Sequence, residues 1–196
     1  MFLMIRAMKR FLLLFVATLS LACVLTACKP AKAALPPGSD LTPSTRNNCY
    51  SLLHQLLDEQ KDVSLLRFIK QEHSDVKELI KKIAAASGAD SKLLEDFAKH
   101  DPSINLDDTG LPPGEIAARA AIASTKKKEI LGQSGEKFEL TLLLTQTEAL
   151  SYAWHLALVA VENDPQPDRA RALTGISKDM ENFYREVFAM LLSKTK

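Results

Sequence analysis

The chain has 196 residues, 46% of them hydrophobic and 25% charged, with a formal net charge of +1. That length and apolar content suffice for one domain with a sizeable core. The balanced charge argues against a nucleic-acid partner, which needs a clustered basic face.

The first 27 residues have the three parts of a secretory signal. Arg6, Lys9 and Arg10 form a basic start, Phe11 to Leu25 is apolar apart from Thr18 and Ser20, and Thr26 and Ala27 are small. Leu25-Thr26-Ala27-Cys28 fills the four positions of a lipobox. The segment resembles bacterial lipoprotein signals, and the resemblance implies cleavage before Cys28 and a diacylglyceryl thioether on its sulfur. Cys23 is a weaker site, because Ser20 stands where a leucine is usual. An uncleaved anchor is the rival reading, since Phe11 to Cys28 is an uncharged run of 18 residues. Each buried methylene contributes about 0.8 kcal/mol, so two or three acyl chains hold a domain on a membrane durably. Lys29 after the lipidated cysteine hints at the outer membrane.

Signal removal leaves 169 residues with 22 basic and 24 acidic side chains. With Cys23 lost and Cys28 lipidated, Cys49 is the last thiol, so no intrachain disulfide can form. Cys49 reads as a small apolar residue packed in the first helix, with pairing to another chain as the alternative. Residues 28–43 read as a tether. Pro30, Pro36, Pro37 and Pro43 favour extended backbone, which places the domain up to about 45 Å from the bilayer.

From residue 44 to 196 the pattern is helical. Thr42-Pro43 supplies a cap and a first-turn proline, and Leu52, Leu53, Leu56, Leu57, Val63, Leu66 and Ile69 carry a first helix to about His73. Ser74-Asp75 restarts it, and Val76, Leu79, Ile80 and Ile83 continue to Gly88, which reads as a stop. A short helix through Leu93, Leu94 and Phe97 follows. Residues 101–113 form the main loop, with Pro102, Gly110, Pro112 and Pro113. An alanine-rich helix spans about 114–131. The next, about 136–162, is apolar round most of its circumference and reads as the central element. The last shows a seam at Leu173, Ile176, Met180, Phe183, Val187 and Met190, the 3–4 spacing of bundle helices. The expected fold is an all-α, up-and-down bundle of four long helices plus a short helix.

Thr141, Thr145, Glu148, Tyr152 and His155 recur at spacings of 4, 3, 4 and 3, so they share one stripe of the apolar helix. Glu148, Tyr152 and His155 are its polar or metal-binding candidates, although Glu148 and His155 stand about 10 Å apart along the axis and need partners from another helix. The competing reading is a solvated face. No Glu-x-x-His pair of the di-iron bundles occurs, and no phosphate loop, nucleophile elbow or Cys-x-x-Cys. Asp107-Asp108 falls far short of a calcium site. His54 and His100 lie among surface-like neighbours. No catalytic residue is assigned.

Lys61-Asp62-Val63-Ser64-Leu65-Leu66-Arg67-Phe68-Ile69-Lys70, Ser74-Asp75-Val76-Lys77 and Ser134-Gly135-Glu136-Lys137-Phe138 are similar to stretches of a bacterial exported helical-bundle family of ferritin-like fold. The similarity spans roughly residues 46–192. It implies a ferritin-like fold and an envelope location. Members often carry Asp-His pairs near the middle of their helices; this chain has none at the aligned positions, and no functional residue is carried over. Two functions stay open. One is a non-enzymatic lipoprotein on the outer membrane, facing the periplasm, that binds another envelope protein or a second copy. The other is a divergent ferritin-like protein with a metal-binding, redox or stress role. No cofactor is expected beyond the covalent lipid on Cys28, and no nucleic acid.

Overall fold

The computed structural model describes residues 42–63 and 73–194, with side chains over 44–63 and 73–194. The signal segment, Cys28 with nearly all of the tether, and residues 64–72 lie outside the described residues. Within them the fold is an all-α helical bundle: α1 Thr42–Lys61, α2 Ser74–His100, α3 Pro113–Gly132, α4 Gly135–Asn163 and α5 Pro167–Lys194. No strand occurs among the described residues.

The first two helices pack antiparallel in a regular register. Tyr50 meets the Phe97 ring edge-on at 6.4 Å, His54 lies 3.5 Å from Glu95, and Ser91 Oγ donates to Asp58 Oδ1 at 3.3 Å. Each step of four along α1 is matched by a step back along α2, because i and i+4 share a helix face. The pair buries Tyr50, Leu53 and Leu57 against Val76, Ile80, Ile83 and Leu94. Cys49 is buried in this layer, as a small apolar residue would be, and burial pushes its thiol pKa up.

Two boundaries differ from the sequence expectation. The first helix stops at Lys61, not near His73. The Asp62 amide donates to Glu59 O three residues back, so the last turn tightens after the polar run Gln60-Lys61-Asp62. The second helix passes through Gly88 and absorbs the expected short helix. A mid-helix glycine costs about 1 kcal/mol relative to alanine. Burial of Ala84, Ser87, Ser91 and Leu94 on one continuous face outweighs it.

Loop 101–112 is fastened to the start of α1. Ile104 is buried, the Asn105 amide donates to Asn47 Oδ1 at 2.6 Å, and Asn47 Nδ2 donates to Asp108 O at 3.3 Å. Asp108 closes its own turn by accepting from the Gly110 amide at 2.9 Å. Gly110 has φ +63°, and a Cβ there would meet the Asn48 carboxamide at 2.5 to 2.8 Å.

Helices α1, α2, α5 and α4 form a closed ring: α1 packs on α2, α2 on α5, α5 on α4, and α4 on α1. Neighbours run antiparallel. The α4–α5 hairpin is marked by Trp154 near Tyr184 and by Lys194 Nζ 3.0 Å from Glu139, and the α2–α5 pair by Arg169 Nη1 2.9 Å from Asp101. It follows that α2 and α4 run in the same direction, so the chain must travel the length of the ring between them. α3 makes that journey outside the ring, packed on α4. Its 20 residues span about 30 Å.

The seam of α5 is as expected, with Leu173, Ile176, Met180 and Val187 buried and Phe183 and Met190 partly so. Helix α4 touches α1, α3 and α5 and is the most central element, yet Leu144, Leu158 and Val159 remain exposed. At one pole Asp164 binds Tyr50 and Arg169. At the other, Glu139 accepts from the His73 amide and lies 2.8 Å from its Nδ1.

Candidate functional site

The polar stripe of α4 faces α3. Thr141 Oγ1 donates to Gln133 Oε1 at 2.5 Å, and Thr145 Oγ1 donates back to Thr141 O at 2.9 Å. Glu148 is ion-paired with Lys126 of α3, and the Arg119 guanidinium sits over the Tyr152 ring, 5.0 Å from its centroid. His155 turns away: its exposed ring bonds Ser151 O through Nδ1 at 2.7 Å and lies against Trp154. Glu148, Tyr152 and His155 therefore do not converge on a shared point. The stripe is where a separate helix docks. An exposed ion pair and a surface cation–π contact contribute about 0.2–1 kcal/mol each. Since only Ile130 of α3 is buried, this helix is the least firmly held.

Between α1, α3 and α4 lies a cleft of about 880 Å³. Leu56 of α1, Val63 just past its end, Ile122 and Ile130 of α3 and Leu142 of α4 make its apolar walls; Arg119, Lys126 and Lys127 stand on one rim and Glu59 and Asp62 on another. Burial, then the neighbouring Asp58 charge, raises the Glu59 carboxyl pKa. Two buried glutamines line the same cleft. Gln146 is 1% exposed and Gln60 is 6% exposed, and the Oε1 of each lacks a hydrogen-bond partner. A buried acceptor left unpaired costs about 1–3 kcal/mol, and each such group calls for a partner. The volume falls within the range of sites for small molecules.

A second polar cluster lies on the seam between α1 and α2. A ring nitrogen of His54 and carboxylate oxygens of Asp58 and Glu95 are all within 4.8 Å of one another, and His54 Nε2 lies 3.5 Å from Glu95 Oε1. The His54 side chain is 19% exposed, so it is not the surface residue its neighbours in sequence suggest. His54 and Asp58 are a legible i, i+4 pair; Glu95 joins them only through the α1–α2 register. The Asp58 carboxyl is held below its ordinary range, chiefly by the Lys61 hydrogen bond.

Among the described residues, nothing in the ring interior resembles a di-metal centre. The positions that face inward carry Leu53, Leu57, Ile83, Leu94, Leu142, Leu150, Leu173 and Met180. Asp90 is a half-buried acid on α2. Burial, then the charge of Asp179, pushes its carboxyl pKa up to about 6, and its Oδ2 has no hydrogen-bond partner.

Comparison of the chain with family models, with curated proteins and with solved structures gives no match. Among the described residues no helix is long and apolar enough to cross a membrane.

Proposed function

We propose that this chain is a lipid-anchored protein of the bacterial envelope whose work is binding, not catalysis. In this reading the signal 1–27 is removed, Cys28 carries the lipid, the tether runs from residue 28 to the start of α1 at Thr42, and the helical domain stands on the outer membrane facing the periplasm. The lipobox Leu25-Thr26-Ala27-Cys28 supports the anchor. The four-helix ring with one long crossover supports a ferritin-like bundle, since that topology has a single long connection.

One observation carries the binding role: the unpartnered acceptors of Gln60 and Gln146 in an apolar cleft. The ligand that fits is an amphipathic envelope component, with an apolar body against Leu56, Ile122 and Leu142 and a hydroxyl or amide donor for the glutamines. Protein isolated gently from its host is expected to carry such a molecule in native mass spectrometry. The double variant Gln60→Leu, Gln146→Leu should lose it. An empty parent, or equal occupancy in the variant, rejects the binding role.

The anchor is tested separately. Cys28→Ala should abolish acylation and release the domain from the detergent phase; a variant that partitions like the parent would mean that the uncut N-terminal segment is the anchor. The alternative of a divergent ferritin-like metal or redox protein gains nothing from the α4 stripe, because Glu148 is bound to Lys126 and His155 to its own helix.

A further inference from the structure

We propose that His54, Asp58 and Glu95 form a site for a borderline divalent transition ion, of which Zn²⁺ is the type case. The site is independent of the cleft: α1 turns His54 and Asp58 toward α2, and Leu56, Glu59 and Gln60 toward α3 and α4.

In a tetrahedral zinc shell, with bonds near 2.0–2.2 Å, adjacent ligand atoms lie roughly 3.3–3.6 Å apart. His54 Nε2 and Glu95 Oε1 stand 3.5 Å apart, already close to that edge length. Asp58, one turn after His54, brings the third oxygen within 4.8 Å of both. Closing the triangle takes small side-chain rotations, and Asp58 and Glu95 are both near half exposed, at 44% each.

The Nε2 atom of His54 is buried and unpartnered by any hydrogen bond. Glu95 at 3.5 Å is near enough for an ion pair but does not satisfy it as a hydrogen bond. An imidazole nitrogen without a hydrogen-bond partner, set beside two carboxylates, is a donor set that a metal ion can take up. Two carboxylates and a neutral imidazole also balance a 2+ charge. Imidazole selects against Mg²⁺ and Ca²⁺, which take six or more oxygens.

The outer partners are in place too. Ser91 Oγ donates to Asp58 Oδ1 at 3.3 Å and steadies that carboxylate, as outer-shell donors do at metal sites. Lys61 Nζ also bonds Asp58 and competes with the ion. Its side chain is 41% exposed and can move into solvent. Three protein ligands leave a fourth position for water.

The test uses the full chain without an affinity tag, stripped with chelator and titrated with Zn²⁺ alone by calorimetry, with Co²⁺ absorption as a second readout. One equivalent should bind, with a tetrahedral Co²⁺ spectrum and a rise in melting temperature. His54→Gln and the milder Glu95→Gln should each weaken binding at least tenfold, while His155→Gln, an exposed imidazole, should leave it unchanged. Absence of stoichiometric binding by the parent, or variants at His54 and Glu95 that bind as the parent does, overturns the proposal. Circular dichroism shows whether each variant is folded; if His54→Gln is not, Glu95→Gln decides. The cleft's occupancy is unaffected by either result.

Discussion

The Tyr50 hydroxyl donates a 2.7 Å hydrogen bond to Asp164 Oδ2, joining α1 to the turn between α4 and α5 across 114 positions of sequence. Arg169 grips the same carboxylate through Nε at 2.9 Å and Nη2 at 3.1 Å, and reaches Asp101 Oδ2 at 2.9 Å with Nη1. One guanidinium thus ties the ends of α2 and α4 to the start of α5. The Asp164 side chain is fully buried; burial alone would raise its pKa, and the Arg169 and Tyr50 hydrogen bonds bring it below the ordinary carboxylate range.

Loss of either partner should not cost the same. Tyr50→Phe removes one hydrogen bond and leaves the carboxylate paired, so about 1 kcal/mol is expected. Arg169→Ala strands a buried charge, for which about 3 kcal/mol is expected. Denaturant midpoints check this order; a milder Arg169→Ala would refute it. A lowered folded pKa contributes stability above the unfolded value near 3.9 that is lost as pH falls through the folded value, so Asp164→Asn should flatten the acid limb of the stability curve.

Asp90 works in the opposite direction. Its folded pKa of about 6 lies above the unfolded value, so the native state binds the extra proton between roughly pH 4 and 6. Stability therefore falls as pH rises through that window. Asp90→Asn should stabilise the protein at pH 7.5 by about 1 kcal/mol, after discounting the shift for partial exposure, and should change nothing near pH 3.5. Thermal melts at the two pH values measure it; an equal gain at both would contradict the assignment.

Gly88 and Gly110 make a matched pair. A Cβ on Gly88 would lie 3.6 Å from Lys61 Cβ, an ordinary contact in mid-helix. Gly88→Ala should raise stability by about 0.5–1 kcal/mol. At Gly110 the positive φ and the nearby Asn48 carboxamide reverse the sign, and Gly110→Ala should cost about 1–2 kcal/mol. Chemical denaturation of the two variants should show opposite shifts in midpoint.

Helix α3 should open without unfolding the rest. Glu148→Ala removes its ion pair with Lys126, a half-exposed contact worth about 0.5–1 kcal/mol. Amide exchange within 113–132 should then rise roughly two- to fivefold, by the Boltzmann factor for that loss, while protection in α5 holds. Uniform acceleration across both helices would mean that α3 is part of the cooperative core.

The starts of α3, α4 and α5 and the seam of α5 were legible because each rests on local signals: prolines, a Gly-x-x-Gly break and a 3–4 apolar rhythm. Gly88 misled because a glycine reads as a stop only when the flanking turns lack a common buried face. The stripe from Thr141 to His155 was visible as a stripe, but what meets it was not, since Arg119 and Lys126 reach it across a helix–helix contact. Gln60 and Gln146 look like surface residues in sequence, and their burial is purely tertiary. The His54, Asp58 and Glu95 group depends on a register that brings residues 41 positions apart together, which composition and periodicity do not encode.

The shared direction of α2 and α4 has a consequence for anyone wishing to dissect the molecule. A strap of roughly ten extended residues could bridge the same 30 Å as α3. Substituting such a strap for α3 should let the four ring helices assemble while removing one whole wall of the cleft. The geometry thereby offers a molecule in which architecture survives and ligand capture is switched off, a cleaner control than any point change.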